Sequence, residues 1–372
     1  MDIRIVDNYK GFESLRSAWN RLLEISDYDS VFLTFEWFAE FIRSFELGSR
    51  LRIVTIWEEG ELVGILPLYC DLYQYGKIKF KFLRSVANVH TPKFNAIVKS
   101  GCDGIFKDVF GLIGASVDWD AVQLDYLSET SPFFNEFAGQ KCKDFDLKRV
   151  KIMASPYLPI GGDWENYYKG LSKNVRTALE TRAKKAEKTY RIEYERVEGP
   201  LLSPDVLHDA FKMEDSGWKG KNRSSILKNE QVTDFYRSLA LSMNEKGYFE
   251  MLFLKFSGDR VAFDYCLKYK GIYSMVKIGY DEKYKDYSPG MILRKHVLRE
   301  FFEKGYEKYD FLGGSDEYKL KFTKAIDQLY SVYLFNKSLK GKLLEFIQFG
   351  AGELADKLRV KRFLRHLVKK KE

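Results

Sequence analysis

The sequence predicts an α/β fold of mixed, α+β character in two tandem units, each a mostly antiparallel sheet flanked by helices. Three observations lead there. At 372 residues, and roughly 150 residues per domain, two cores are favoured over one. Apolar residues make up 45% and charged residues 31%, with 24 Tyr and 29 Phe, which supplies both cores and excludes a largely disordered chain. A helix–hairpin rhythm also occurs twice. In the first half a helix over Phe35–Phe45 precedes Gly48, a strand, the turn Gly60-Glu61-Leu62-Val63-Gly64 and an apolar strand. In the second, a helix over Val232–Lys246 precedes Gly247, a strand, Gly258-Asp259-Arg260-Val261-Ala262 and another apolar strand.

The elements follow in order. Leu15, Ala18, Trp19, Leu22 and Leu23 fall at helical spacing, predicting a helix over Phe12–Ile25. Thr34 caps the next, whose stripe is Trp37, Phe38, Phe41, Ile42 and Phe45. Leu51–Trp57 and Leu62–Tyr69 read as a hairpin, with strand material near Ile78–Leu83, Ala96–Val98 and Ala121–Leu124, and a helix within Gly104–Ala115. Pro156, Pro159, Gly161 and Gly162 mark a linker over Ser155–Trp164. A basic helix over Ser172–Thr189 follows, capped by Ser172, then a helix from Pro204. Phe249–Phe256, Arg260–Lys268 and Gly271–Ile278 read as three antiparallel strands, Pro289–Glu303 as a helix, Lys308–Leu312 and Ser331–Phe335 as strands. The units are therefore expected at 1–155 and 156–338, with a tail at 339–372.

The net charge of +8 is concentrated in that tail, where Lys340–Glu372 holds ten Lys/Arg against four Asp/Glu. The near-neutral body gives no reason to expect nucleic acid as a partner. No apolar run approaches the ~20 residues that span a bilayer, and the start lacks a signal-peptide pattern. Cys70, Cys102, Cys142 and Cys266 form no CxxC, so reduced thiols in a cytoplasmic protein without a metal site are expected. In the tail, Leu343, Leu344, Phe346, Ile347 and Phe349, then Leu354 and Leu358, alternate with basic residues in an amphipathic pattern. Such a helix either lies on an anionic membrane surface, holding the protein peripherally on the inner face, or docks on the body.

The stretch 271–322 carries the chemistry. A strand leads through Lys285 to Ser288-Pro289-Gly290, which opens a helix. Pro suits the first helical position, Gly290 admits a ligand to the backbone, and the free N–H groups and dipole make an anion site beside Lys285. No nucleotide P-loop is present. The strand Lys308-Tyr309-Asp310-Phe311-Leu312 ends in Gly313-Gly314, a backbone that bends or passes close to something, with Tyr318 just beyond. Asp264 is a charge inside the apolar run Val261–Cys266, and Trp218-Lys219 lies in a Gly- and Ser-containing loop over Ser216–Ser225.

Asp310-Phe311-Leu312-Gly313-Gly314 with Tyr318-Lys319 resembles the D-x-L-x-G…Y-K signature of the CelD-type (cellulose-biosynthesis-like) acetyltransferase family, a double-domain branch of the GNAT superfamily related to Fem-type peptidyltransferases. Tyr287-Ser288-Pro289-Gly290 resembles its Y-S-P-G, and Leu171-Ser172-Lys173-Asn174-Val175-Arg176 its L-S-x-x-x-R. The Gly258–Phe263 and Glu61–Leu68 hairpins resemble its two hairpins, so the likeness covers about Leu33–Phe322. In the superfamily's [Q/R]-x-x-G-x-[G/A] loop, Lys285 replaces the first residue and Ser288 the first glycine.

The resemblance implies tandem GNAT-like domains, the first degenerate around His90-Thr91-Pro92-Lys93. It implies transfer of an acyl group from acetyl-CoA or another acyl-CoA to an amine on a sugar, lipid or cell-envelope polymer precursor in polysaccharide biosynthesis. Lys285, Ser288, Gly290 and Met291 would bind the CoA thioester. Tyr318 is the candidate acid, Asp264 the first candidate base and Asp310 the second unless it caps or fixes the loop, and Trp218 and Lys219 would meet the acceptor. Two other readings stay open: a Fem-like transferase using aminoacyl-tRNA, and a non-catalytic module of this fold in envelope assembly.

Overall fold

The helices start at side-chain caps that the sequence announces. Thr34 Oγ1 accepts from Trp37 N–H at 3.3 Å and Ser172 Oγ from Val175 N–H at 3.3 Å, opening helices Phe35–Ser44 and Lys173–Glu187. Ser203 and Asn229 cap Pro204–Ser216 and Glu230–Glu245 in the same way. The computed structural model describes residues 1–102, 104–106, 109–110, 117–137 and 145–350, with Trp218 described by its backbone alone. The region Phe12–Ile25 divides into helices Tyr9–Ser14 and Arg16–Glu24. The helix expected within Gly104–Ala115 falls largely outside the described residues.

Two sheets result, flanked by helices. The smaller has the order β1 (Asp2–Val6), β2 (Ile53–Glu58), β3 (Glu61–Leu66) and β6 (Ile97–Val98), all antiparallel. The larger runs β4 (Leu68–Tyr75), β5 (Ile78–Ser85), β7 (Ala121–Ser128), β14 (Ile326–Asn336), β8 (Phe145–Pro159), β13 (Lys308–Asp310), β12 (Ile272–Tyr280), β11 (Asp259–Tyr269), β10 (Phe249–Phe256) and β9 (Ile192–Val197). Its β5/β7 and β12/β13 pairs are parallel, the others antiparallel.

Three sequence expectations change. The strand read as Leu62–Tyr69 is two strands in different sheets, broken at Pro67, which has no N–H to continue the ladder. The linker read from Ser155 begins only after Pro159. β8 pairs with β14 as far as Pro156 and with β13 from Tyr157 to Pro159, so its prolines sit where the strand changes partner and where it ends. β14, which the sequence places in the second unit, pairs with β7 and β8, so the large sheet runs across the division expected at residue 155.

The two repeated helices pack on each other. Phe235 meets Trp37 at 5.5 Å, Phe41 at 5.7 Å and Phe45 at 5.4 Å between ring centroids, so one core spans both halves. A second core lies between the β10–β13 region and helices Lys173–Glu187 and Pro289–Lys304. At the start of the tail, helix Leu339–Glu345 buries Leu344 against Phe80, Phe82 and Phe335, with Ile347 and Phe349 packed on the same cluster. Residues 351–372 lie outside the described residues. Among the described residues no helix is long and apolar enough to cross a membrane.

Candidate active site

β12 and β13 run side by side only from Ile272↔Lys308 to Ser274↔Asp310. Beyond that register the strands part, and the chain itself forces them to. Leu312 and Gly313 both adopt left-handed backbone, at φ 53° and 57°, a region that a leucine rarely enters. The turn is held from three sides. Asp310 Oδ1 accepts the Leu312 N–H at 3.1 Å, and Lys319 Nζ donates to the carbonyls of Leu312 at 2.7 Å and Gly314 at 2.9 Å. The opening is a cavity of about 550 Å³ walled by β12 on one side and Phe311–Gly313 on the other.

Helix Pro289–Lys304 starts at the cavity wall, which includes Lys285, Ser288, Gly290 and Met291. Ser288 is left-handed at φ 52°, a conformation that costs a non-glycine residue roughly 1–2 kcal/mol. It stands where the superfamily loop has glycine. A Cβ on Gly290 would meet nothing within 4 Å, so the helix start faces open space. Pro289 has no N–H and the Met291 N–H donates to the Ser288 carbonyl at 2.9 Å, which leaves the Gly290 N–H without an acceptor at the positive end of the dipole. From the basic helix, Lys185 reaches over the loop, with Nζ 3.4 Å from the Asp286 carbonyl and 5.0 Å from the Tyr287 ring centre.

The same cavity contains Asp264 and Tyr318. Asp264 is buried and bound by both terminal nitrogens of Arg294, at 2.7 and 2.9 Å. Burial raises its pKa and the guanidinium only partly offsets this. Arg294 also donates to the Tyr309 hydroxyl. Burial raises the pKa of Tyr318, against the nearby Arg294, so the phenol is protonated at neutral pH. Its hydroxyl makes no hydrogen bond within the described residues.

On the other face of the sheet Lys219 lines the cavity, its Nζ 2.6 Å from Glu214 Oε1 and 3.3 Å from the Ile278 carbonyl. Glu214 Oε2 in turn accepts the Ile226 N–H at 2.9 Å. Lys277, also in the wall, lies with its ammonium 4.7 Å from the Tyr236 ring centre. Burial lowers the pKa of both lysines, opposed by Glu214.

Seven residues singled out in the sequence thus meet in one cavity: Lys285, Ser288, Gly290, Met291, Tyr318, Asp264 and Lys219. Asp310 does not join them. It is buried and its Oδ2 is 2.8 Å from Lys93 Nζ, which also lies 2.7 Å from Asp327. It is not among the residues that line the cavity, and its carboxylate fixes the Leu312 turn. The Trp218 side chain lies outside the described residues.

Arg294 and Lys277 were missed in the sequence. Each had the signal that marked Asp264, a charge inside an apolar pattern: Ile292-Leu293 and Val297-Leu298 flank Arg294, and Met275-Val276 and Ile278 flank Lys277. Among the described residues no group of three His, Cys, Asp or Glu could hold a metal.

Residues 173–320 match the Acetyltransferase (GNAT) domain family. That segment contains every residue lining the cavity. No curated protein matches the sequence significantly. In fold, the chain is similar to FemX (TM-score 0.60, 10% identity, covering 93% of this chain and 99% of that one). It is also similar to a conserved protein from Bacteroides thetaiotaomicron (TM-score 0.55, 12% identity, 90% and 100% covered). A third similar fold is L-PGS from Bacillus licheniformis (TM-score 0.54, 12% identity, 88% and 94% covered). The likeness is one of GNAT acetyltransferase domain and Fem-type fold.

Proposed function

We propose that the protein is an acyl-CoA-dependent N-acyltransferase of the CelD-type kind, acting on an amine of a sugar, lipid or envelope-polymer precursor. The observation that carries this is the parting of β12 and β13 at the foot of helix Pro289–Lys304. The helix start takes the donor's phosphates, with Lys285 beside them. Beyond Ser274 and Asp310 the strands leave their inner edges unpaired with each other. An extended amide-bearing arm can lie between them and bring a thioester to the sheet centre, where main-chain N–H groups face its carbonyl oxygen.

The acceptor nitrogen attacks the thioester carbon. The C–N bond forms, the C–S bond breaks, and amide and CoA thiol are the products. Asp264 takes the acceptor's proton. Each of its oxygens keeps a second lone pair beside the Arg294 bond, and its raised pKa suits a base. Tyr318 gives its proton to the leaving sulfur.

A donor held through RNA phosphates is the second reading, favoured by Lys185 and the basic helix beside the cavity mouth. Calorimetry with acetyl-CoA, longer acyl-CoAs and tRNA decides between them. Saturable binding of an acyl-CoA, competed by CoA and not by tRNA, is expected. Binding of tRNA alone would move the donor role to aminoacyl-tRNA, and binding of neither would leave the scaffold reading.

A further inference from the structure

The cavity's charges cancel in pairs except at two places. Lys219 is matched by Glu214 at 2.6 Å, Lys319 by Asp316 at 3.0 Å, and Arg294 by both oxygens of Asp264. Two lining cations remain, Lys285 and Lys277. Lys285 stands at the helix start, where the proposed donor's phosphates belong. Lys277 has no such counterpart: within the described residues its ammonium forms no hydrogen bond or ion pair, only the contact with the Tyr236 ring.

The sheet places Lys277 away from the donor helix. It is in register with Tyr265, whose ring packs on Tyr236 of helix Glu230–Glu245. The neighbouring Asp264 faces the other way, to Arg294 of helix Pro289–Lys304. Lys277 therefore looks to the face of the sheet away from the donor helix. Glu214, the acid nearest in effect, already serves Lys219 and the Ile226 N–H. His90 of the first half is hydrogen-bonded to the Tyr236 hydroxyl at 3.2 Å and brings no negative charge.

A largely buried ammonium without a counter-ion is unfavourable. It becomes favourable when a ligand supplies the anion. A simple amine enters as a cation and is repelled by Lys277, whereas an amine that carries its own carboxylate or phosphate is not. Resting on the N-acyltransferase reading, we infer that the acceptor is an amine bearing an anionic group and that Lys277 is the cation that receives it. Lys277 is then a substrate-binding residue, and zwitterionic or acidic amines are accepted over plain basic ones.

The test measures acceptor binding without donor. Matched probes are titrated by NMR into wild-type protein: glycine against glycinamide, and glucosamine 6-phosphate against glucosamine. The anionic member of at least one pair is expected to bind tenfold or more tightly than its uncharged-group partner, and the pair that responds distinguishes carboxylate from phosphate. Lys277→Met is expected to abolish that preference and Lys277→Arg to keep it, with the thermal midpoint of Lys277→Met at or above that of the wild type and acetyl-CoA affinity of both variants unchanged. Absence of a preference in the wild type, absence of binding by every probe, or a preference surviving in Lys277→Met overturns the inference. Loss of acetyl-CoA binding in the wild type overturns the donor reading alone, since the acceptor titration does not use it.

Discussion

Gly290 offers the sharpest perturbation of the donor site, because stability and binding should move in opposite directions. Its φ lies outside the left-handed region and its Cβ position is open to 4 Å, so a Cβ there adds no strain. Gly290→Ala should raise stability by up to about 1 kcal/mol through helix propensity. Gly290→Glu loses part of that gain but adds a carboxylate at the positive end of the dipole, worth about 0.3–1 kcal/mol. That carboxylate stands where the donor's phosphates must sit. At about 5 Å and an effective dielectric near 20, two like charges repel by roughly 3 kcal/mol, a loss of about 100-fold in affinity. Calorimetry with acetyl-CoA, beside thermal melts of both variants, measures the two effects. A Gly290→Glu protein that melts at or above the wild-type temperature and binds acetyl-CoA within threefold of it would refute the placement of the phosphates.

The other predictions address the catalytic groups and their supports. Tyr318→Phe should lower kcat by about 10²–10⁴-fold with little change in acetyl-CoA affinity; equal turnover, with chemistry rate-limiting, rejects the acid role. Burial raises the pKa of Asp264, so as pH falls through that value activity should disappear at a pH above the ordinary carboxylate range, and Asp264→Asn should abolish this acid limb instead of displacing it. Arg294→Met should destabilise by roughly 3–5 kcal/mol by leaving Asp264 buried and unpaired, and adding Asp264→Leu should restore much of it; denaturant melts read both. His90 has its pKa lowered to about 4, first by burial and then by Lys277. Its contribution to stability should be present above pH ~6.5 and vanish as pH falls towards 4, up to roughly 3 kcal/mol, with the ring's NMR titration as the check.

What the sequence revealed was local. The caps Thr34 and Ser172, the hairpin around Gly258 and the helix opening at Pro289 are each written within a few residues. So is the donor loop, since Lys285, Ser288 and Gly290 are close neighbours on the chain. What stayed hidden was distant. β8 was not seen because its prolines read as a linker and its partners, β14 and β13, lie some 150 to 190 residues on. Arg294 read as part of a helix face because its partner Asp264 is 30 residues away on another element. Asp310 could be read either as a second base or as a residue that fixes the loop, because its partner, Lys93, is 217 residues distant.

That last pair explains why the first half matters to a cavity walled wholly by the second. Lys93 lies between β5 and β6 of the first half. Its ammonium is buried between Asp310 of β13 and Asp327 of β14. Burial alone would lower the lysine's pKa, but the two carboxylates outweigh it and hold it charged. Asp327 has a further donor in Ser128 of β7 at 2.6 Å, and Asp310 accepts the Leu312 N–H. Three strands and the turn that opens the cleft are thereby tied to one side chain of the first half. Without that cation two buried carboxylates would face each other across β13 and β14, and the left-handed Leu312 would lose the charge balance that keeps Asp310 in place. One lysine of the first half thus acts as a brace, and the geometry that separates β12 from β13 depends on it.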